Sequence, residues 1–196
     1  MTLAIAGNAS SGYPINKSLR FRSSASAYLN RTPAAAGNQQ KWTWSGWVKR
    51  GRLGSPSSPL FAATSGGGQN DMIAFQAADT LQLNFNGVTN VVTSQVFRDP
   101  SAWYHIVVAL DTTQATAANR VIFYVNGVQV TALSATTYPA LNATSTINGN
   151  GLHKIANYAV SSGDYFDGYM AEVNFIDGQA LTPSSFGTTN AAGTWR

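Results

Sequence analysis

Twice in this chain an Asn-Gly pair sits between two runs of alternating apolar residues. The first is "TLQLNF-NG-VTNVV" (80–92) and the second "VIFYV-NG-VQV" (121–130). Two residues able to take positive φ between alternating runs are the strongest short-range signal for a β-hairpin. In "TLQLNFN", Leu81, Leu83 and Phe85 fall on one strand face and Gln82, Asn84 and Asn86 on the other. In "RVIFYVN", Val121, Phe123 and Val125 oppose Ile122 and Tyr124, so both faces are apolar, and "WYHIVVAL" (103–110) repeats that pattern as a central strand does.

Extended along the chain, the same reading gives strands near 17–22, 26–31, 42–50, 59–63, 71–76, 80–86, 88–94, 103–110, 120–126, 128–132, 152–157 and 166–176. No window of a dozen residues carries helical periodicity. One helical turn is expected in "LTPSSFG" (181–187), where Thr-Pro starts it and Gly187 ends it. Strands at this spacing predict an all-β, two-sheet antiparallel sandwich over residues 17–196. Residues 1–16, rich in Ala, Ser, Gly and Asn, read as a short extended N-terminal arm. The 196 residues suit one such domain.

Composition removes several classes. There is no cysteine, hence no disulfide framework, thiolate zinc site or thiol nucleophile. Nothing approaches the ~18 apolar residues of a membrane span. The first ten residues lack a basic region and a long apolar run, so no export signal is expected and the chain reads as made in the cytoplasm. Eight of the twelve Lys and Arg lie in residues 1–52, which hold no acid. They are not interleaved with aromatic residues as single-strand binding requires, so they read as scattered over the surface and no nucleic-acid partner is expected.

"FDGYMAEVNFIDGQALTPSSFG" (166–187) carries the chain's one glutamate, Glu172, between Asp167 and Asp177. A glycosidase needs two carboxylates about 5–5.5 Å apart for retention, or about 6.5–9.5 Å for inversion. On a regular strand, residues on the same face as Glu172 are Met170 and Asn174, whereas both aspartates lie five positions away and fall on the other face. Only a bulge would reverse that relation. Glu172 therefore reads as an outward polar residue on a strand whose other face, Tyr169, Ala171, Val173 and Phe175, packs inward. No catalytic residue is assigned. His105 sits mid-strand as a packed histidine, and His153, after "NGNGL", reads as loop-facing.

Three segments carry a family likeness. "WTWSGWVKRG" (42–51) resembles the tryptophan-rich strand of laminin G-like, concanavalin A-like jelly-roll domains. "WYHIVVALDTTQATAANRVIFYVNGVQV" (103–130) is similar to their central strand and hairpin, and residues 166–187 to their closing strand. The last segment, with "SLRFRSSASAYLNRT" (18–32), looks most like laminin G-like proteins carried on bacteriophage particles. The resemblance implies a non-enzymatic virion surface protein that binds host-surface carbohydrate. It would attach to capsid or tail proteins through the arm, with Leu3, Ile5, Tyr13 and Ile15 as anchors. A homo-oligomer is implied, a trimer being one arrangement. The alternatives are a capsid decoration or head-fibre protein and, more remotely, a glycoside hydrolase. Because the chain ends one residue after Trp195, a C-terminal edge trimmed or completed by a neighbour is also expected.

Sugar recognition requires an aromatic platform beside planar polar groups. The rim loops 64–71, 142–153 and 157–168 offer Tyr158, Asp164 and Tyr165, with Asn148, Asn150 and His153. Calcium is the one cofactor the resemblance keeps open, with Asp164 and Asp167 as ligands and Asn148 and Asn150 beside them. Of the tryptophans, Trp42 and Trp44 share a strand face and Trp47 takes the other, as core residues would.

Overall fold

The computed structural model describes residues 17–65, 70–158, 160 and 163–196. The arm, with Leu3, Ile5, Tyr13 and Ile15, lies outside the described residues, as do 66–69 of the first rim loop and 159, 161 and 162 of the third. Two antiparallel sheets form the domain. One is six-stranded, in the order β1 (Leu19–Phe21), β13 (Gly168–Asp177), β3 (Lys41–Arg50), β8 (Tyr104–Asp111), β9 (Val121–Val125) and β10 (Val128–Gln129). The other is seven-stranded: β11 (Leu133–Thr136), β7 (Val88–Val96), β6 (Thr80–Phe85), β5 (Asn70–Gln76), β4 (Ser57–Thr64), β12 (His153–Ile155) and β2 (Leu29–Arg31).

Both Asn-Gly pairs make the turns that their φ preferences predict. Asn86 and Gly87 have φ of 54° and 79°, Asn126 and Gly127 of 50° and 81°. Between the sheets lie Trp42, Trp44, Leu60, Ile73, Phe75, Leu81, Leu83, Ile106, Val108 and Phe123, all essentially inaccessible. The expected helical turn is the 3-10 turn Pro183–Ser185. β11 was not expected, because "TALSATT" has a single large apolar residue to alternate; it forms by pairing with β7 across a register shift. The polar side of β6 is not solvated as alternation alone suggests. Gln82 is buried, its carbonyl accepting from Gln76, whose own carbonyl accepts from Thr80.

The outer face of the six-stranded sheet is covered by the chain's last stretch. Thr43 Oγ donates to the Gln179 carbonyl at 2.7 Å and accepts from Leu181 N–H at 2.8 Å. Beyond the 3-10 turn, Phe186 and Trp195 pack on His105, whose ring also meets Trp47 with centroids 5.0 Å apart. Gly127 is needed for more than its positive φ, since a Cβ there would stand 2.3 Å from Trp195. Trp42 and Trp44 thus face inward and Trp47 outward, as alternation requires.

A bulge divides β13. Ala171 pairs with Trp47 and Asn174 with Ser45, leaving Glu172 and Val173 opposite Gly46, and Glu172 takes φ 48°. The alternation reverses there, which corrects the expected inward set. Val173 and Phe175 pack against the core, but upstream of the bulge Met170 is the inward residue. Tyr169 is exposed outward beneath the Arg20 guanidinium.

Ion pairs between distant segments account for part of the basic N-terminal excess: Arg20 with Asp167, Lys41 with Asp111 and Arg50 with Asp79. The Arg50 side chain is fully buried. It donates to the Phe97 carbonyl and lies 4.4 Å from the Phe75 ring centroid, while Asp79 also pairs with Arg98. Burial raises the Asp79 pKa, but the Gly54 N–H and the two guanidiniums outweigh it and hold the carboxyl below its ordinary value.

Two consequences are measurable. Glu172 occupies left-handed backbone that costs a non-glycine residue about 1–2 kcal/mol. Glu172→Gly is expected to raise the thermal midpoint by about 2 °C, whereas Glu172→Val lowers it. His105 is pushed down by burial to about 4 from 6.5. Its folded pKa is depressed, so the unfolded chain binds the proton more readily. The stability held by neutral His105 is complete above pH 6.5 and is lost as pH falls toward 4, on the order of 3 kcal/mol. Urea unfolding across that range should show a shallower decline in His105→Gln than in the wild type.

Candidate functional site

The edge strands β1 and β2 close one side of the sandwich only partly, and a cleft of about 450 Å³ opens there. Its floor is aromatic. Phe61 of β4 and Phe175 of β13 have centroids 5.5 Å apart, and the His153 ring lies 5.8 Å from Phe61. Asn30, Arg31, Lys154, Asn148 and Asp177 form the polar rim. Arg31 is exposed and its guanidinium has no partner among the described residues. Lys154 donates to Asn157 Oδ1 at 2.7 Å and sits 5.0 Å from the Tyr28 ring centroid.

The opposite wall is built by hydrogen bonds. Asp177 Oδ1 accepts from Asn38 N–H at 2.8 Å and from the Asn148 amide at 2.5 Å. Gly37 N–H donates to the Asn148 carbonyl, and a Cβ on Gly37 would lie 2.5 Å from Asp177 Oδ2. Asn148 stands in left-handed backbone at φ 67°, which asparagine tolerates. Behind it, the buried Asp71 carboxylate accepts from Ser145 Oγ, Thr146 N–H at 2.7 Å and Asn86 N–H at 2.6 Å. Burial pushes the Asp71 carboxyl above its ordinary value.

His153 is on β12 and its ring is buried, not loop-facing as its sequence context suggests. Nε2 accepts the Asn148 N–H at 3.0 Å, so the proton is on Nδ1, which donates to the Gly151 carbonyl at 2.9 Å. Burial lowers its pKa, opposed by the Gly151 bond and helped by Arg31. The neutral ring offers a ligand its surface and no free nitrogen.

The sequence-predicted residues divide. Asn148 and His153 line the cleft. Asn150 is exposed on the same loop and is not among the lining residues. Tyr158, Asp164 and Tyr165 belong to a neighbouring turn, closed by the Tyr158 N–H to Asp164 carbonyl bond and the Asn157–Tyr165 bridge. There Tyr158 donates to Asn70 at 2.7 Å, and Tyr165 packs on Tyr28 with centroids 6.2 Å apart. Asp167 does not fit a calcium ligand: its carboxylate already accepts from Arg20 at 2.7 Å and from Ser23 N–H and Oγ. Among the described residues no three His, Cys, Asp or Glu side chains gather. Phe61, Phe175, Arg31, Lys154 and Asp177 were not singled out as ligand contacts, because separate segments bring them together.

The bulge does not assemble a carboxylate pair. Asp167 turns to Arg20 and Asp177 to Asn38 and Asn148, while the Glu172 carboxylate has no hydrogen-bond or ion-pair partner among the described residues, its backbone carbonyl alone accepting from the Asn174 amide.

A two-sheet jelly roll with an aromatic-floored, polar-rimmed side cleft defines a lectin-like class of domain. The family model of the concanavalin A-like lectin/glucanases superfamily, in its laminin G form, matches residues 22–185, and the chain belongs to that family. No curated protein matches the sequence significantly. Among solved structures, the chain is similar to the heptameric SAP-like pentraxin of Limulus polyphemus (14% identity, TM-score 0.56, covering 89% of this chain and 77% of the pentraxin). It is also similar to domains LG4-5 of the mouse laminin alpha1 chain (10%, 0.51, covering 76% and 38%). A third is Trypanosoma rangeli sialidase with bound sialic acid (13%, 0.51, covering 74% and 22%). At these identities the likeness is one of fold, and less than half of the laminin and sialidase chains is spanned. No helix among the described residues is long and apolar enough to cross a membrane.

Asp71→Ala leaves the Thr146 and Asn86 N–H groups without their acceptor and is expected to cost about 3 kcal/mol in urea unfolding. Faster amide exchange at residues 145–149 in this variant would locate the damage in the cleft wall.

Proposed function

We propose that this protein is a carbohydrate-binding module that works without catalysis, displayed on the surface of a bacteriophage particle. The side cleft carries the reading. Its volume of about 450 Å³, apolar floor and few convergent polar groups are those of a small-ligand site. Phe61, Phe175 and Ile155 offer the apolar face of a sugar ring a surface, while Asn30, Arg31 and Lys154 offer donors to its hydroxyls. Membership in a lectin and glucanase family supports a sugar as the ligand, and the solitary Glu172 supports binding over hydrolysis. The virion location is supported by the likeness of residues 18–32 and 166–187 to phage-borne laminin G-like proteins. Attachment to capsid or tail proteins through the N-terminal residues, and assembly as a homo-oligomer, complete the proposal. A shallow cleft binds one sugar weakly, and several copies on one particle raise avidity without any new contact.

A glycan array at physiological salt tests this with the wild type and an Arg31→Ala/Lys154→Ala double variant. The wild type should bind a subset of glycans, and the variant should lose at least tenfold in apparent affinity with an unchanged thermal midpoint. Array silence together with retention on empty capsids would assign the protein to particle decoration. Binding that survives both substitutions would move the site out of the cleft.

A further inference from the structure

The side cleft is electrically lopsided, and its charge selects among sugars. In an antiparallel pair, residues directly opposite one another share a face. β2 and β12 set Arg31 opposite His153 and Leu29 opposite Ile155, and β12 in turn sets Ile155 opposite Phe61 of β4. Arg31 therefore stands on the face that carries the His153 ring, Ile155 and the Phe61 floor, and all four residues line the cleft. Its charge is felt there: after burial, and against the Gly151 hydrogen bond, Arg31 helps to lower the His153 pKa. The imidazole beside it is thus neutral, with Nε2 accepting the Asn148 N–H and Nδ1 donating to the Gly151 carbonyl.

The two other charged side chains among the described lining residues are already engaged. Lys154 donates to Asn157 Oδ1 at 2.7 Å and to the Tyr158 carbonyl at 3.4 Å, which takes two of its three N–H groups. Asp177 Oδ1 accepts from the Asn38 N–H and the Asn148 amide, and its Oδ2 faces Gly37 so closely that a Cβ there would stand 2.5 Å away. Asp177 is spent on the wall. Arg31, by contrast, is solvent-exposed at the rim. A guanidinium is a planar fork, less strongly hydrated than an ammonium, whose parallel N–H groups fit the two oxygens of a carboxylate. A sugar hydroxyl would use one of those donors and leave the charge standing, whereas a carboxylate uses two and neutralises it.

We propose, on the reading of this cleft as a sugar site, that its ligand is a carboxylate-bearing pyranose such as a hexuronic acid within a longer glycan, its carboxylate paired bidentately with Arg31 and the apolar face of its ring on Phe61 and Phe175. The dimensions agree. Neighbouring strands lie ~4.8 Å apart, so β2 stands about 9.6 Å from β4 across β12. A ring settled on Phe61 and Ile155 has its edge substituents within reach of the Arg31 side chain. Asn30 and the remaining Lys154 donor then serve ring hydroxyls. A single open cation matches a monoanion better than a phosphate ester, which carries about −1.5 to −2 charges. The formal net charge of +4 steers an acidic polymer toward the domain.

An array printed with matched sets tests this on the full chain: uronic-acid oligosaccharides, their methyl esters, O-sulfated glycans and neutral glycans, all at physiological salt. The free acids should bind at least tenfold more tightly than their own methyl esters. Arg31→Gln should bring acid and ester within twofold of each other at an unchanged thermal midpoint. Arg22→Gln removes the same charge from an exposed position that does not line the cleft, and it should keep the tenfold preference. Equal binding of acid and ester by the wild type would overturn the proposal while leaving the cleft a sugar site. Stronger binding of O-sulfated than of uronic-acid glycans would overturn it in favour of sulfate. A preference for acids that survives Arg31→Gln would move the carboxylate away from Arg31 and overturn it as well. Silence toward every glycan would instead remove the sugar site itself, and this ligand with it.

Discussion

A carboxylate with no cation partner among the described residues holds the cleft end of this sandwich in place. Asp71, at the start of β5, is inaccessible to solvent and accepts from Ser145, Thr146 and Asn86. Burial of the acid is costly, and the three donors offset that cost while finding their own acceptor in it. The loop therefore comes down onto the sheet, Thr146 Oγ reaches the Ala63 carbonyl, and Asn148 follows into position against Asp177 and Gly37. Just beyond the other end of β5, Asp79 meets the same problem with two guanidiniums. The end locked by backbone donors borders the cleft and leaves Arg31 and Lys154 without acidic partners among the described residues at its rim.

Sequence patterning gave away the strands because a two-sided sheet must write its burial into period two, and each Asn-Gly pair names its own turn geometry. The sandwich, the inward pair Trp42 and Trp44 and the packed character of His105 were all legible on that basis. The bulge in β13 was not. Its left-handed residue is a glutamate, where a glycine would have announced it, and one extra residue exchanged Tyr169 for Met170 on the inward face. The cleft was legible only in its loop. Asn148 and His153 follow from the "NGNGL" segment, but Phe61 and Phe175 look like any other core aromatic residues. Asp177, set aside by its spacing as a catalytic partner of Glu172, carries no sequence signal for the wall that its hydrogen bonds build.

That a core aromatic floor is left open on one side follows from the topology. The side of the domain opposite β10 and β11 is closed by β1 and β2, each three residues long and joined through a 3-10 turn at Ser23–Ala25. Asp167 holds that connection to β13 through Arg20 and Ser23, but strands so short cannot span the opening. Core rings at the gap remain packed on one side, Phe175 on Trp42 and Phe61 on His153, and available on the other. A surface held by the core costs little conformational entropy when a ligand settles on it. Rigidity at the floor and adaptable long side chains at the rim are thus two results of one cause: the sandwich stops short of closing where the neutral, doubly hydrogen-bonded His153 holds the loop beside it.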